Sequence, residues 1–209
     1  SGNSDRAITQ FQEASQSAVT NDIKIGTLKN LGYVYATEGR NAEALSTFQE
    51  AFKLANTGSL DYYLISGEIA LLEGKPNAAY ISFNKAYEIN PDDFQVNNSL
   101  ALFLLDLEEV APNYANYPKA LQYAQKAYNL SPSEITRQNL GIAHLLNENY
   151  TQSIKLLSQS NTDQHPYVAF WLGLAYLNVE DHINAKLYLR KALNAGVEIP
   201  QEIIDYLNP

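Results

Sequence analysis

A zinc-binding helix needs two imidazoles one turn apart with a carboxylate beside them. The three histidines of this chain, His144, His165 and His182, lack that spacing and stand in no metal-ligand motif. His144 lies in an apolar stretch and reads as a packing residue. His165 precedes Pro166 in a turn and reads as solvated. His182 follows Glu180-Asp181, a negative turn that would favour the protonated ring without making a metal site. Acid–base catalysis by a pair of carboxylates needs both to face one bound substrate. Asp92-Asp93 instead follow a proline and suit helix capping, while Glu108-Glu109 are neighbours that diverge around a helix. The phosphate-cradling Gly-x-x-x-x-Gly-Lys-Ser/Thr and the dinucleotide Gly-x-Gly-x-x-Gly are both missing from the sequence. With no cysteine there is no thiolate nucleophile, disulfide or Cys-based zinc site. The Asn-x-Ser/Thr triplets at Asn97 and Asn149 read as chance in a chain rich in asparagine. No catalytic residue, cofactor or metal ion is therefore expected.

What remains is a chain of 209 residues, 45% apolar and 18% charged, with 14 Lys plus Arg against 23 Asp plus Glu. The resulting net charge of −9 argues against a nucleic-acid partner, which needs a local excess of cations. No run approaches the ~18 apolar residues of a membrane-spanning helix, so direct membrane insertion is not expected. Charge is uneven: through Val110 there are 15 acids and 7 bases, and beyond it 8 acids and 7 bases. Solubility accounts for this, and steering of an electropositive partner to the N-terminal half is the sharper alternative.

The elements that would position any site repeat along the chain. Small residues stand at Gly32, Gly67, Ala101, Gly141 and Gly173, separated by 35, 34, 40 and 32 residues. Ala44, Ala79, Ser153 and Ala185 follow four of them by 12 residues, and the third unit delays its counterpart to Ala120. Seven residues on come Ala51, Ala86, Ala127, Ser160 and Ala192. Between these markers apolar residues recur at three and four, as in Leu31, Tyr35, Leu45, Phe48 and Phe52. Each unit reads as two antiparallel helices, with the small residues where the helix axes cross. Glu38-Gly39-Arg40-Asn41 and Glu73-Gly74-Lys75-Pro76 mark turns inside units, and Pro76 suits a first helical position. Asn90-Pro91-Asp92-Asp93 and Ser131-Pro132-Ser133-Glu134 mark turns between units, with Ser131 or Ser133 as the cap. Pro166 and Pro200 are expected to open later helices.

The pattern resembles the tetratricopeptide repeat family. The likeness rests on Leu31-Gly32-x-x-Tyr35 with Ala44-x-x-x-Phe48-x-x-Ala51, on Gly67-x-x-Ala70 with Ala79-x-x-x-Phe83-x-x-Ala86, and on their counterparts around Ala101, Gly141 and Gly173. It implies an all-α fold, a right-handed superhelical solenoid of stacked antiparallel helix pairs. Residues 1–20 are a partial repeat in which Ala7, Phe11 and Ala14 mark a second helix. Five repeats follow at 21–58, 59–92, 93–132, 133–165 and 166–199, and a capping helix at 200–209 carries Ile203, Ile204 and Leu207. The third repeat holds extra material over 106–118, including Asp106, Glu108, Glu109, Tyr114 and Tyr117, read as a lengthened helix and solvated loop, with a partner-contacting protrusion as the sharper alternative.

The resemblance also implies a concave groove lined by the first helices, fit for a protein or peptide segment. Its expected contacts are Lys29, Tyr33, Leu64, Glu68, Asn98, Leu102, Gln138, Ile142, Tyr167, Phe170 and Leu174, with Tyr167 and Phe170 as aromatic anchors. In one subclass a basic and amide clamp grips a partner's C-terminal carboxylate. Lys29 matches its first lysine, but Tyr33, Ile65, Gln95 and Ser99 occupy the other four positions, so that subclass is not expected. The function implied is a scaffold or adaptor. The alternatives are a structural assembly module of a bacterial envelope or membrane-associated complex, and the regulatory domain of an enzyme. The Ser1-Gly2 start and the absence of Met suit a trimmed chain, and the incomplete first unit reads as the cut end of a longer array or as a natural N-terminal cap. Self-association through the incomplete first unit is the second option for a partner. The compartment stays open: cytoplasmic, or bacterial periplasmic or membrane-associated if a leader or anchor was removed.

Overall fold

Twelve helices make up residues 2–105 and 116–208, the part of the chain that the computed structural model describes. Asp106, Glu108, Glu109 and Tyr114 of the lengthened third repeat fall outside the described residues. The chain divides into two compact units, Ser1–Pro91 and Asp92–Pro209.

The N-terminal unit contains α1 (Gly2–Ser17), α2 (Asn21–Thr37), α3 (Asn41–Leu54), α4 (Leu60–Leu72) and α5 (Pro76–Ile89). The C-terminal unit contains α6 (Phe94–Leu105), α7 (Tyr117–Leu130), α8 (Glu134–Leu146), α9 (Tyr150–Leu157), α10 (Pro166–Asn178), α11 (His182–Asn194) and α12 (Gln201–Leu207). Helices pack as the pairs α2–α3, α4–α5, α6–α7, α8–α9 and α10–α11. The fold is thus an all-α solenoid of stacked antiparallel helix pairs.

Side-chain caps fix where the first helices begin. Thr20, Ser59 and Ser133 accept the backbone N–H three residues on, and Asp93 does the same for Val96. Each such cap is worth about 1 kcal/mol. Of the two serines that could start α8, Ser133 does so, and Thr136 returns a bond to the Ser133 N–H. Pro76 and Pro166 open α5 and α10, where the lost N–H has no intrahelical acceptor.

The periodic small residues sit where one helix of a pair crosses the other. A Cβ built on Gly32 would lie 2.7 Å from the Phe48 ring, and one on Gly173 would lie 2.7 Å from Leu189 Cγ. Gly67 and Gly141 meet Phe83 and Leu157 in the same way. Sixteen residues separate the members of all four pairs. In the third repeat Ala101 is tolerated because Ala124, at the matching register, is itself small; both are buried. In α1 the buried positions are Ile8 and Ser15, with Phe11 partly covered. Ala14, expected on that face, is exposed, since the helix is rotated to bring Ile8 into the core with Ile25, Leu28 and Leu31. At the other end Leu207 of α12 is buried against Phe170, Leu189 and Ala192, covering the last pair.

Candidate functional site

In the N-terminal unit the first helices α2 and α4 spend their polar groups on one another. The Lys29 ammonium is buried and paired with the Asp61 carboxylate, and the Tyr33 hydroxyl donates to Glu68 Oε1 at 3.1 Å. Tyr33 also sets its ring edge-on to Phe48, 5.3 Å between centroids. Leu64 is fully buried. Of the expected contacts here, Lys29, Tyr33 and Glu68 are joined to α2–α4 partners and Leu64 belongs to the core. Lys29 matched one carboxylate-clamp position, but its charge is already met by Asp61.

The C-terminal unit is different. Its first helices α6, α8 and α10 lie side by side, α8 packing against both neighbours. Asn98 and Leu102 are one turn apart on α6; Ile135, Gln138, Asn139 and Ile142 form a stripe on α8; Tyr167, Phe170, Trp171 and Leu174 form one on α10. On these three helices Leu102 is 41% exposed, Ile135 63% and Tyr167 53%; exposed apolar side chains also occur elsewhere, Ile183 and Leu187 of α11 among them. Between these side chains the Asn139 amide donates to Asn98 Oδ1 at 2.8 Å. Gln138 Nε2 donates to Ser160 Oγ at 3.2 Å and Glu134 Oε1 at 3.3 Å.

Ile142 and Phe170 turn inward. Ile142 is buried, and Phe170 packs in the cluster that Leu207 completes, edge-on to Trp171 at 5.2 Å. Leu174 is partly buried against the same cluster. Tyr167 is therefore the exposed member of the expected aromatic pair. It stands edge-on to Trp171, with 5.6 Å between ring centroids. Ile135 and Asn139 were absent from the expected set. Ile135 occupies the α8 counterpart of Tyr167, so the register already contained its signal; the Asn98–Asn139 bond depends on side-chain placement and had none.

Neither α6 nor α10 contains an Asp, Glu, Lys or Arg. On α8, Glu134 lies 3.9 Å from Arg137 and 3.6 Å from His165, and the His165 side chain is 42% exposed. His144 is half-buried on the opposite side of α8, near Pro118, Leu121, Gln122 and Asn147, and burial pushes its proton affinity down. His182 Nδ1 lies 3.0 Å from the Tyr206 hydroxyl and so joins α11 to α12. Asp93 caps α6, and Asp92 pairs with Lys126 at 2.9 Å. Among the described residues no group of three or more His, Asp or Glu could hold a metal ion. No described helix is long and apolar enough to cross a membrane. The Asn97 triplet is enclosed, its amide donating to the Asp93 carbonyl, whereas Asn149 is exposed.

Stacked helix pairs with small residues at every crossing define a class of helical-repeat protein. The chain matches the tetratricopeptide repeat model over residues 28–57, 60–93 and 167–195. It is similar to a TPR repeat-containing protein, MJ1428, of Methanocaldococcus jannaschii, with 24% identity over 85% of this chain. The chain spans 40% of the length of that protein. Among solved structures it is similar to PilF of Pseudomonas aeruginosa, with a TM-score of 0.61, 20% identity and coverage of 89% of this chain and 82% of that one. It is also similar to YrrB, described as a TPR protein with an unusual peptide-binding site. There the TM-score is 0.56 at 16% identity, covering 95% and 96% of the two chains. These structural likenesses are of fold.

Proposed function

We propose that this chain is a noncatalytic scaffold that holds a segment of another protein across α6, α8 and α10. Tetratricopeptide-repeat folds act generally as protein-interaction scaffolds, and YrrB, of similar fold, is described as having a peptide-binding site. The observation that carries the reading here is the exposure of Leu102, Ile135 and Tyr167 on three neighbouring helices. Exposed apolar side chains scattered singly need no explanation, but a set on adjacent elements, interleaved with amides, has the composition of an interface core. Burying them would supply affinity, and the amides would fix direction by hydrogen bonds.

The test is capture of partners from an extract of the cells that make the protein. Replacing Leu102, Ile135 and Tyr167 together with alanine should abolish capture while the helical circular dichroism stays unchanged. Replacing Ile183 and Leu187, exposed on α11, should leave capture intact. Equal capture by the wild type and the first variant would count against the reading.

A further inference from the structure

In the N-terminal unit α1 and α3 both pack on α2, and residues of all three helices line a cavity of about 390 Å³. Leu28, Leu31 and Tyr35 enter it from one stripe of α2, and Gln12, Ser15 and Gln16 from one stripe of α1. Such a volume is at the small end of ligand sites and suits one small molecule.

The hydrogen-bonding capacity left over in this cavity is of both kinds. Tyr35 is 5% exposed; its hydroxyl accepts from Gln12 Nε2 at 2.9 Å, and its own hydrogen has no acceptor among the described residues. Ser15, also buried, donates to the Gln12 carbonyl at 2.9 Å and keeps its oxygen lone pairs. Exchanging the Gln12 amide atoms reverses the bond to Tyr35 and again leaves a donor beside an acceptor. A buried hydroxyl hydrogen without an acceptor costs stability until water or a ligand supplies one.

Charge narrows the ligand further. Lys24 and Glu50, the charged residues of the lining, pair with each other at 3.0 Å. A charged ligand would have to break that pair or give up water for no net counter-charge. A carboxylate only accepts and an ammonium only donates, so either leaves part of the lining unpaired. A hydroxyl does both. Several hydroxyls on one ring can meet Tyr35, Ser15 and the two glutamine amides together, with the C–H face of the ring on Leu28 and Leu31.

We propose that this cavity binds an uncharged polyhydroxy ligand, a sugar ring or a cyclitol, with Tyr35 and Gln12 making its central hydrogen bonds. The site is independent of the function proposed above.

The experiment is an amide NMR titration of the full chain with glucose, N-acetylglucosamine, maltose and myo-inositol. Each is taken to about 50 mM, enough to load a site of millimolar Kd. At least one is expected to shift resonances of α1 and of the Gln12 side-chain amide. Tyr35→Phe should weaken that ligand about tenfold, the scale of one buried hydrogen bond. Gln12→Leu, at an exposed position, should do the same and serves as the second variant should Tyr35→Phe disturb the fold. Glucose 6-phosphate and glucuronate should bind about tenfold more weakly than the uncharged sugars. Maltose binding more tightly than glucose would support the end of a sugar chain as the ligand, and equal binding a free sugar. The proposal is overturned if none of the four shifts α1, if both variants leave binding unchanged, or if the charged sugars bind more tightly.

Discussion

Gly67 and Gly26 are both helical glycines, and the fold asks opposite things of them. A Cβ on Gly67 would overlap the ring of Phe83, which is fully buried and has nowhere to move. Gly67→Ala should therefore cost about 1–3 kcal/mol in urea denaturation. A Cβ on Gly26 meets nothing within 4 Å, so Gly26→Ala should gain about 0.5–1 kcal/mol from reduced freedom of the unfolded chain. The sequence marked Gly67 by its place in the period, and the structure supplies the reason. Ala101 shows the converse, since its register partner is Ala124 where other repeats have Phe or Leu. His144 occupies the position of Tyr35 and Tyr176 in their repeats. Burial lowers its proton affinity, so the unfolded chain takes up the proton first as pH falls. The stability associated with neutral His144 is full above about pH 6.5 and is lost below it, until the folded form also protonates. His144→Tyr should flatten that acid-side decline in chemical denaturation measured from neutral to mildly acidic pH. Exposure along one helix stripe was not legible in the same way. Leu102 and Ile142 occupy corresponding register positions, yet one is 41% exposed and the other 7%, because the neighbouring helices cover them differently.

Turns between the helices of a pair recur seven residues after the crossing position. Gly39 and Gly74 stand there with φ of 71° and 68°, but Glu148 and Glu180 adopt φ of 59° and 60° at the corresponding places. A side chain in that left-handed region costs about 1–2 kcal/mol, of which the greater freedom of unfolded glycine returns a part. Glu148→Gly and Glu180→Gly should each stabilise the chain by about 1 kcal/mol, read as a shift in the urea midpoint. The two glycine turns were legible from their residue type; the glutamate turns were not, since glutamate alone gives no sign of positive φ. The C-terminal helix was legible because Ile203, Ile204 and Leu207 share a face, and the structure buries Leu207 on Phe170, Leu189 and Ala192. Leu207→Ala should cost about 2–4 kcal/mol. Trp171, partly buried in the same cluster, should report that loss as an earlier fluorescence transition.

At the scale of the whole chain, the two units treat equivalent surfaces differently. The N-terminal unit ties Lys29 to Asp61 and Tyr33 to Glu68, so its first helices are occupied with each other. The C-terminal unit leaves Leu102, Ile135 and Tyr167 exposed around an amide pair. The repeat period made the helix pairs and their register legible, because the small residues at crossings obey a strict steric demand. It could not distinguish the two faces, because a residue's place in a repeat does not say whether a neighbouring side chain has already claimed it. The proposed binding surface is therefore the first helices of the C-terminal unit alone. Hydrogen exchange of the full chain, with and without a captured partner, tests this most directly. Added protection is predicted within 94–105, 134–146 and 166–178, with α2 and α4 unchanged. Protection centred on α2 and α4, or on the exposed Ile183 and Leu187 of α11, would contradict it.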